Sequence, residues 1–505
     1  MLSKISVIDL GYNSAKLVTY NVRDDGSFDV YRQEGVKVRL GEDMDEKGVL
    51  GKKPMLRAIE TLKLFKEIIQ LEPIKSVLPL ATSAVREAEN KDEFLDEVYK
   101  ETGFRFKVLT EREEALYSYV GAIKSLQVPD ALFFDIGGGS IEIVHAEKFK
   151  IKKVISLPLG ALRLTQQFGV KDGTFTQKSY RNMRRHVWNM LPDKKELSLG
   201  KDTKLVGVGG VLRALARYDH KITKYPLDEI HNYRITSKSV SDISKQLSKM
   251  RSDDISKIAV IGSGRAETMV AGSCAINTIM EKFGFNNLWI SNHGLREGAL
   301  SIFLENQKAY HAKNITAEQI RETIGIEKPS HTFQNSEDFI DALISSKLIS
   351  KREYQILSFA EKKILEKLSY NNPQSLFYSI MDEDMSLSHA DQLVLGLSLV
   401  NTRHVKTSDW LFSRYRTILS PQDKTTIKKI SSLITLLGVL DRTKSKIELK
   451  KFIEGIAELN IIQSKLLPKL LLRSALSKFG AAFDVHVICL LRPDEQSVQS
   501  SVLEL

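Results

Sequence analysis

Cysteine is nearly absent. The two residues present in 505, Cys274 and Cys489, exclude a disulfide framework and any CxxC metal knuckle, and they fit a reducing compartment. Long apolar runs are missing too. The uncharged stretch Thr268 to Met280 falls short of the roughly 20 apolar residues that a spanning helix needs. The opening MLSKISVIDLG lacks the basic stretch, apolar run and small-residue cleavage site of a signal peptide. A cytoplasmic protein with no membrane partner is expected. There is no short repeat and no low-complexity tract. With neither an RNP-like aromatic stripe nor a helix-turn-helix pattern, nucleic acid is not an expected partner.

What is there is ordinary for a folded chain: 42% hydrophobic and 27% charged residues, which rules out wholesale disorder. At about 150 residues per domain, the length corresponds to roughly three or four domains. Lys and Arg number 74 against 63 Asp and Glu, a net charge of +11. The excess is concentrated. Arg403 to Lys451 holds 12 basic and 4 acidic residues, a net +8, and Lys178 to Arg185 reads KSYRNMRR. Such patches favour polyanionic partners, although a solvated lysine-rich surface has the same composition.

The first 300 residues alternate short β-rich runs with helical patterns. Ile5–Ile8, Lys75–Leu80, Arg105–Leu109, Leu132–Asp135 and Leu205–Val208 read as strands. Met55 to Gln70 places Leu56, Ile59, Leu62 and Phe65 at helical spacing. This alternation predicts an α/β architecture. After about residue 305 strand signals nearly vanish and helices dominate. Ser420-Pro421-Gln422-Asp423 has the form of a helix start, and Ile427, Ile430, Ile434 and Leu437 then recur on one face. Asn306 to Ser336 is polar and reads as a link. The tail from Lys451 mixes a helical run, Leu466 to Leu476, with the alternation Phe483, Val485, Val487.

Five segments carry chemistry. In Asp9-Leu10-Gly11-Tyr12-Asn13-Ser14-Ala15-Lys16 a strand delivers an acid, a glycine bend and then small polar residues. The glycine lets backbone N–H groups approach an anion, Asn13 and Ser14 add donors, and Asp9 suits a metal that bridges phosphate oxygens. An ordinary hairpin would use the same turn. Asp135-Ile136-Gly137-Gly138-Gly139-Ser140-Ile141-Glu142 repeats the logic, with acids at 135 and 142 flanking the bend. Three successive glycines are costly unless the backbone needs unusual torsions or a close ligand. Leu205 to Val211 runs through Gly209-Gly210 into a helix start, an anion site at a helix N-terminus. It is not GxGxxG, so a dinucleotide fold is disfavoured. Arg86, in ATSAVREA, has the fork to clamp a phosphate. Glu111-Arg112-Glu113-Glu114-Ala115 offers an acid to orient and deprotonate water, or simply an acid-rich first helical turn.

Together these segments resemble the exopolyphosphatase / guanosine pentaphosphate phosphohydrolase family, part of the actin, hexokinase and heat-shock chaperone superfamily. DLGYNSAK resembles its first phosphate motif and DIGGGSIEIV its second. ATSAVREAEN, TEREEA, SLPLGALRL, GVGGVLRAL, Arg265-Ala266-Glu267 and SNHGLREGAL follow in the expected order. The resemblance covers about residues 1 to 305. It implies two ribonuclease H-like (actin-like ATPase) domains around a cleft, over 1–121 and 122–305. A mostly helical HD-like domain would follow over 306–450, with a helical/strand tail over 451–505.

The family's catalytic base falls on Glu114, the second of a glutamate pair with Glu113. Asp9, Asp135 and Glu142 fall on acids that hold Mg²⁺ (or Mn²⁺). Gly137, Gly138, Gly139 and Ser140 fall on the terminal-phosphate cradle, with Asn13, Ser14, Lys16 and Gly209 beside it. Arg86 and Arg265 fall on basic residues near the substrate phosphates.

The sequence departs from the family pattern at several positions. Tyr12 stands where a small residue is usual and is expected to narrow the phosphate entrance. Ile141, Lys16, Val211 and Ala271 are further departures. No His-Asp dipeptide occurs in the chain, and His311, His331, His389 and His404 form no ligand set, so the helical domain is expected to lack HD metal chemistry. The resemblance implies Mg-dependent release of orthophosphate from the end of inorganic polyphosphate by a homodimer, with the basic stretch 403–451 holding distal units. Removal of the 5′ phosphate of guanosine pentaphosphate, and a non-catalytic sensor of nucleotide or polyphosphate, are the alternatives.

Overall fold

The computed structural model describes residues 3–42, 44, 48–170, 174–311, 316–325, 336–367, 372–463, 468–493 and 501–504. His331 lies outside them, as do parts of the 306–336 segment. The chain forms two compact units, Met1–Ile326 and Glu327–Leu505.

The first unit contains two sheets of mixed direction. Strands β1 (Ser3–Leu10), β2 (Ser14–Val22), β3 (Phe28–Lys37), β4 (Ile74–Ala81) and β5 (Lys107–Val108) lie in the order β3-β2-β1-β4-β5. The first three form an antiparallel meander, and β4 and β5 run parallel to β1. Strands β6 (Ala131–Ile136), β7 (Ile141–Glu147), β8 (Lys150–Leu157), β9 (Lys204–Val208), β10 (Arg234–Thr236) and β11 (Asn287–Ile290) lie in the order β10-β11-β9-β6-β7-β8. Five of these, β8-β7-β6-β9-β11, repeat the meander-plus-parallel pattern, and β10 is added antiparallel at one edge. The α/β reading therefore holds, with the same topology used twice.

Central strands of both sheets are buried on two faces, which is why they read as near-continuous apolar runs. In β1, Ile5 and Val7 enter one core cluster while Ile8 and Leu10 enter another. In β6, Phe133 faces the first of these clusters, and Leu132, Phe134 and Ile136 face a third. The shared cluster takes residues from both sheets and from the helices Glu111–Leu126 and Leu295–Glu305. These helices cross at backbone contact: a methyl group on Gly298 would overlap the Tyr117 carbonyl, and one on Gly121 the Gly294 carbonyl. Tyr310, Ile320 and Ile324 are buried in the same cluster. The described part of the polar segment after residue 305 thus packs as two short helices, Gln307–His311 and Ala317–Ile324, on the first unit.

The second unit begins with helices and ends with a sheet. Helix Pro421–Arg442 opens with the capping box read from the sequence, Ser420 with Asp423, and buries Ile427, Ile430, Ile434 and Leu437. Strands are more extensive than the near-absence expected after residue 305, and they begin at Lys446, just ahead of the helical/strand tail read from 451. Strands β12 (Lys446–Ile453), β13 (Ile456–Gln463), β14 (His486–Pro493) and β15 (Ser501–Glu504) form a four-stranded sheet, β12-β13-β14-β15, with helix Lys469–Phe483 crossing between the parallel β13 and β14. Among the described residues no helix is long and apolar enough to cross a membrane. Helix Ala266–Phe283, which contains the uncharged stretch, is instead buried along most of its length.

Candidate active site

Two hairpins of like construction meet in the first unit. At the β1–β2 turn Gly11 N–H donates to the Ser14 carbonyl at 3.0 Å, and at the β6–β7 turn Gly137 N–H donates to the Ser140 carbonyl at the same distance. Asp9 pairs in register with Lys16, and Asp135 with Glu142. The tips touch: a methyl group on Gly138 would lie 3.4 Å from the Cβ atoms of Tyr12 and Asn13. The carbonyls of Gly137 and Gly138 accept from Ala161, Leu162 and Arg163 N–H groups at the start of helix Ala161–Phe168, which fixes the second turn from behind. A third turn follows β9. Gly209 has φ +127°, a conformation L side chains rarely adopt, and leads into helix Gly210–Thr223.

These turns enclose a cavity of about 140 Å³. Of the residues singled out from the sequence, Asp9, Asn13, Ser14, Lys16, Glu114 and Asp135 line it, together with Gly137, Gly138, Gly139, Ser140, Gly209 and Arg265. Thr82, Ser83, Arg213, Arg296 and Glu297 line it as well and were not singled out. Arg213 lies within the quoted block GVGGVLRAL and Arg296-Glu297 within SNHGLREGAL. The available signal was a basic residue one turn into a glycine-initiated helix, because helical side chains lean back toward the N-terminus.

Three residues lie outside the lining. Glu113 is part of the helix cap. Its Oε2 accepts from Thr110 N–H at 2.9 Å and from Thr110 Oγ1 at 3.0 Å, and its Oε1 pairs with Lys107 at 3.1 Å. The acid pair read as catalytic therefore divides, one member building the helix end and the other reaching the cavity. Arg86, read as a phosphate clamp, is engaged elsewhere: Nη1 donates to Glu114 Oε2 at 2.7 Å and to the Leu109 carbonyl at 2.9 Å. Glu142 is fully buried, accepts from Ser156 Oγ at 3.3 Å, and interacts electrostatically with Glu114 and Asp135. Tyr12 also lines the cavity, but its ring is 8% exposed and packs on Gly41 and Gly139, where side chains would collide with it. Those glycines accommodate the added bulk.

Burial dominates the electrostatics. It pushes the Glu114 carboxyl up to about 7; the Arg86 guanidinium opposes this, while Asp135 and Asp9 add to it. Burial likewise raises Asp135, against the hydrogen bond from Ser118 Oγ at 2.6 Å. It raises Glu142 well above the ordinary carboxyl value, with Glu114 adding to the effect. On the basic side Lys16 is lowered to about 7, by burial first and then by Arg296, Arg213 and Arg265, while Asp9 resists. Arg213 falls to about 10 through burial and through Arg296 and Arg265. Burial and neighbouring guanidinium groups thus disfavour the charge of Lys16, Arg213 and Arg265, whereas at Arg296 burial is outweighed by Glu297 and the other acidic neighbours. An anion with several oxygens would relieve the first three. Glu297 offsets part of this charge. Burial opposes its ionisation, but Arg296 and hydrogen bonds from Tyr20 Oη at 2.5 Å and Gly294 N–H at 2.8 Å hold it below its ordinary value.

The donors also bear on a metal. Among the described residues no three His, Cys, Asp or Glu side chains converge as a preformed cage. Two of the four carboxylates that line the cavity, Asp9 and Asp135, match the way Mg²⁺ is usually held, through one or two carboxylates with substrate phosphates and water completing the shell.

Comparison with known proteins is consistent with this geometry. The model of the Ppx/GppA phosphatase family matches residues 20–307, more than half of the chain. The bifunctional 3-dehydroquinate synthase/phosphatase of Fusobacterium nucleatum is 28% identical over 315 residues, 59% of this chain but only 46% of that protein. Exopolyphosphatase 2 of Mycobacterium tuberculosis is 28% identical over 321 residues, 60% of this chain and 99% of the relative. The crystal structure of an exopolyphosphatase from Cytophaga hutchinsonii has 26% identity and a TM-score of 0.55, covering 60% of this chain and 98% of that one.

Proposed function

The chain belongs to the Ppx/GppA phosphatase family, and from that premise we propose that it is a hydrolase of phosphoanhydrides that releases orthophosphate from the end of inorganic polyphosphate. The observation that carries the reading is the meeting, in one small cavity, of Glu114 with two glycine hairpins and four basic side chains, Lys16, Arg213, Arg265 and Arg296. Phosphoryl transfer depends mostly on positioning and charge stabilisation, and this site is equipped for both.

In this reading the terminal phosphoryl group sits between the hairpin tips, facing Asn13, Ser14 and Ser140 and the backbone of Gly137–Gly139. Glu114 orients the attacking water and accepts its proton. A base is most effective when its pKa lies near the working pH, and burial places Glu114 there, at about 7. Arg86 holds the carboxylate in place through one oxygen, and the other stays available to the water. The four cations take up the charge of the phosphoryl oxygens and of the departing chain. Mg²⁺ or Mn²⁺, held by Asp9 and Asp135, would add further neutralisation of the phosphate oxygens. Glu142, behind them, belongs to the same carboxylate cluster.

Hydrolysis of the 5′ phosphate of guanosine pentaphosphate is the second reading, since that substrate also ends in a phosphoanhydride. The concentration of basic residues between Arg403 and Lys451 favours the long polymer, the more highly charged of the two substrates. The test is phosphate release in Mg²⁺ from long-chain polyphosphate, guanosine pentaphosphate and ATP in parallel, with Glu114→Gln as control. Glu114-dependent release from polyphosphate is expected. Release from guanosine pentaphosphate alone would move the assignment to that nucleotide. Binding without release from any of the three would make the protein a sensor.

A further inference from the structure

The second unit holds a cavity of about 340 Å³, which the proposed hydrolysis does not use. Its walls come from the end of helix His389–Asn401 and from helices Val405–Arg414, Pro421–Arg442 and Lys469–Phe483. Three kinds of surface meet there. Lys424, Lys428 and Lys478 supply positive charge, and Val405, Phe412 and Ile427 supply an apolar wall. Asp409 and a row of hydroxyls supply polar oxygens.

The hydrogen bonds already made in the cavity determine what it can still offer. Lys424 pairs with Asp409 at 3.0 Å. Among the described residues Lys428 and Lys478 have no carboxylate partner. The hydroxyl protons are taken: Ser431 Oγ donates to the Lys428 carbonyl at 3.1 Å, Ser432 Oγ to the Lys429 carbonyl at 2.8 Å, and Thr435 Oγ1 to the Ser431 carbonyl at 2.7 Å. Ser431 Oγ also accepts from Asn401 Nδ2 at 2.8 Å. The hydroxyl row therefore presents lone pairs, and the cationic donors without a carboxylate partner among the described residues are the two lysines. A bare phosphate chain carries only acceptors. It would satisfy the lysines but meet the hydroxyl oxygens and Asp409 with like partial charge. A ligand that fits all three surfaces carries an anion for the lysines, O–H or N–H donors for the oxygens, and a flat apolar body for Phe412 and its neighbours.

We propose that this cavity is a binding site for a nucleoside monophosphate, its phosphate on Lys428 and Lys478, its hydroxyl and amino donors on the oxygen row, and its base against Phe412. The volume is that of a small organic ligand. The site is chemically distinct from the cleft of the first unit, since a phosphate monoester has no anhydride to hydrolyse. A nucleotide held there is suited to regulation rather than turnover.

The test uses the full chain, with GMP, AMP, guanosine, inorganic phosphate and long-chain polyphosphate as separate probes. Hydrogen–deuterium exchange is followed in peptides covering 401–414 and 424–435, alongside equilibrium dialysis. Protection by GMP or AMP is expected, with guanosine and inorganic phosphate binding at least tenfold more weakly. Lys428→Gln with Lys478→Gln should weaken nucleotide binding tenfold or more. Both lysines are exposed, so the melting temperature should not move. Phe412→Ala should weaken GMP and leave inorganic phosphate unchanged. The proposal is overturned if millimolar nucleotide leaves these peptides unprotected, if inorganic phosphate protects them equally, or if the lysine pair has no effect on nucleotide binding.

Discussion

At the scale of single residues the site turns on Glu114 and the guanidinium that holds it. The carboxyl sits at about 7 because burial outweighs Arg86. In the proposed mechanism Glu114 is the base and works only when deprotonated, so kcat/KM, which reports the free enzyme, should rise with pH through about 7. Glu114→Gln keeps the shape and removes the base; turnover should fall about 10²–10⁴-fold, the usual range for general base catalysis, while polyphosphate still binds. Arg86 gives a second, sharper prediction. Its charge favours ionised Glu114, so Arg86→Ala should push the carboxyl higher and move the rising limb of the pH profile to more alkaline values. A phosphate clamp would instead show its loss mainly in KM, with the limb in place. A pH–rate series on purified Arg86→Ala separates the two. Arg86 also shows where sequence reading stopped. Its type and neighbourhood were legible, but a guanidinium serves a phosphate or a carboxylate equally well, and only the 2.7 Å contact with Glu114 assigns it. Glu113 and Glu114 are adjacent in sequence, yet the fold separates them. The capping box of Thr110 claims the residue three places on, which leaves the next one for the cavity.

At the scale of elements, what was legible follows from how strongly each segment constrains its backbone. The two acid-plus-glycine hairpins and the glycine turn after β9 were readable because a bend that approaches a ligand leaves few residue choices. Arg105–Leu109 read as a full strand but contributes only Lys107–Val108 to the sheet; edge pairing depends on partners that a local pattern does not show. The hairpin β12–β13 was missed. The sequence KIELKKFI breaks apolar alternation with lysines on an exposed strand. Its turn, Glu454-Gly455, has positive φ at both residues, 51° and 79°, the geometry of a two-residue hairpin turn for which Asn-Gly is the usual signal. Helix packing yields a test of its own. Gly298 sits where helices Glu111–Leu126 and Leu295–Glu305 touch through their backbones, and neither rotamer choice nor side-chain flexibility can relieve a methyl group there. Gly298→Ala should therefore cost stability despite alanine's better helix propensity, by about 1–3 kcal/mol for overpacking or more, read as a lower thermal midpoint. The mutation also forces apart the helix that carries Glu114, so turnover should fall with it. An unchanged midpoint would mean that the crossing relaxes freely.

At the scale of the whole molecule two kinds of attachment join the α/β halves of the first unit, and they differ in strength. One is the shared apolar core around the helix crossing. The other is a pair of ion pairs between the halves, Arg39 with Glu267 at 3.0 Å and Arg163 with Glu87 at 2.6 Å. All four side chains are about one-third exposed, where such pairs contribute roughly 0–1 kcal/mol, so the core and not the ion pairs holds the unit together. Under the proposed function, charge matters instead for the substrate. With net +11, and 12 basic against 4 acidic residues between Arg403 and Lys451, the protein should meet a long polyanion by releasing the polymer's counterions, and that term weakens as salt rises. KM for long-chain polyphosphate should therefore climb steeply with NaCl, by about tenfold or more between 50 and 200 mM if several phosphates are neutralised, while kcat changes little because the buried cavity is poorly screened. Arg403, Lys406 and Arg416 are exposed in the basic stretch. Changing all three to Gln should flatten the dependence of log KM on log salt without altering kcat. A short substrate that fills only the cavity should show the flat dependence already in the wild type. If triphosphate and long polymer respond to salt alike, the basic stretch does not touch the chain, and recognition is confined to the residues around Glu114.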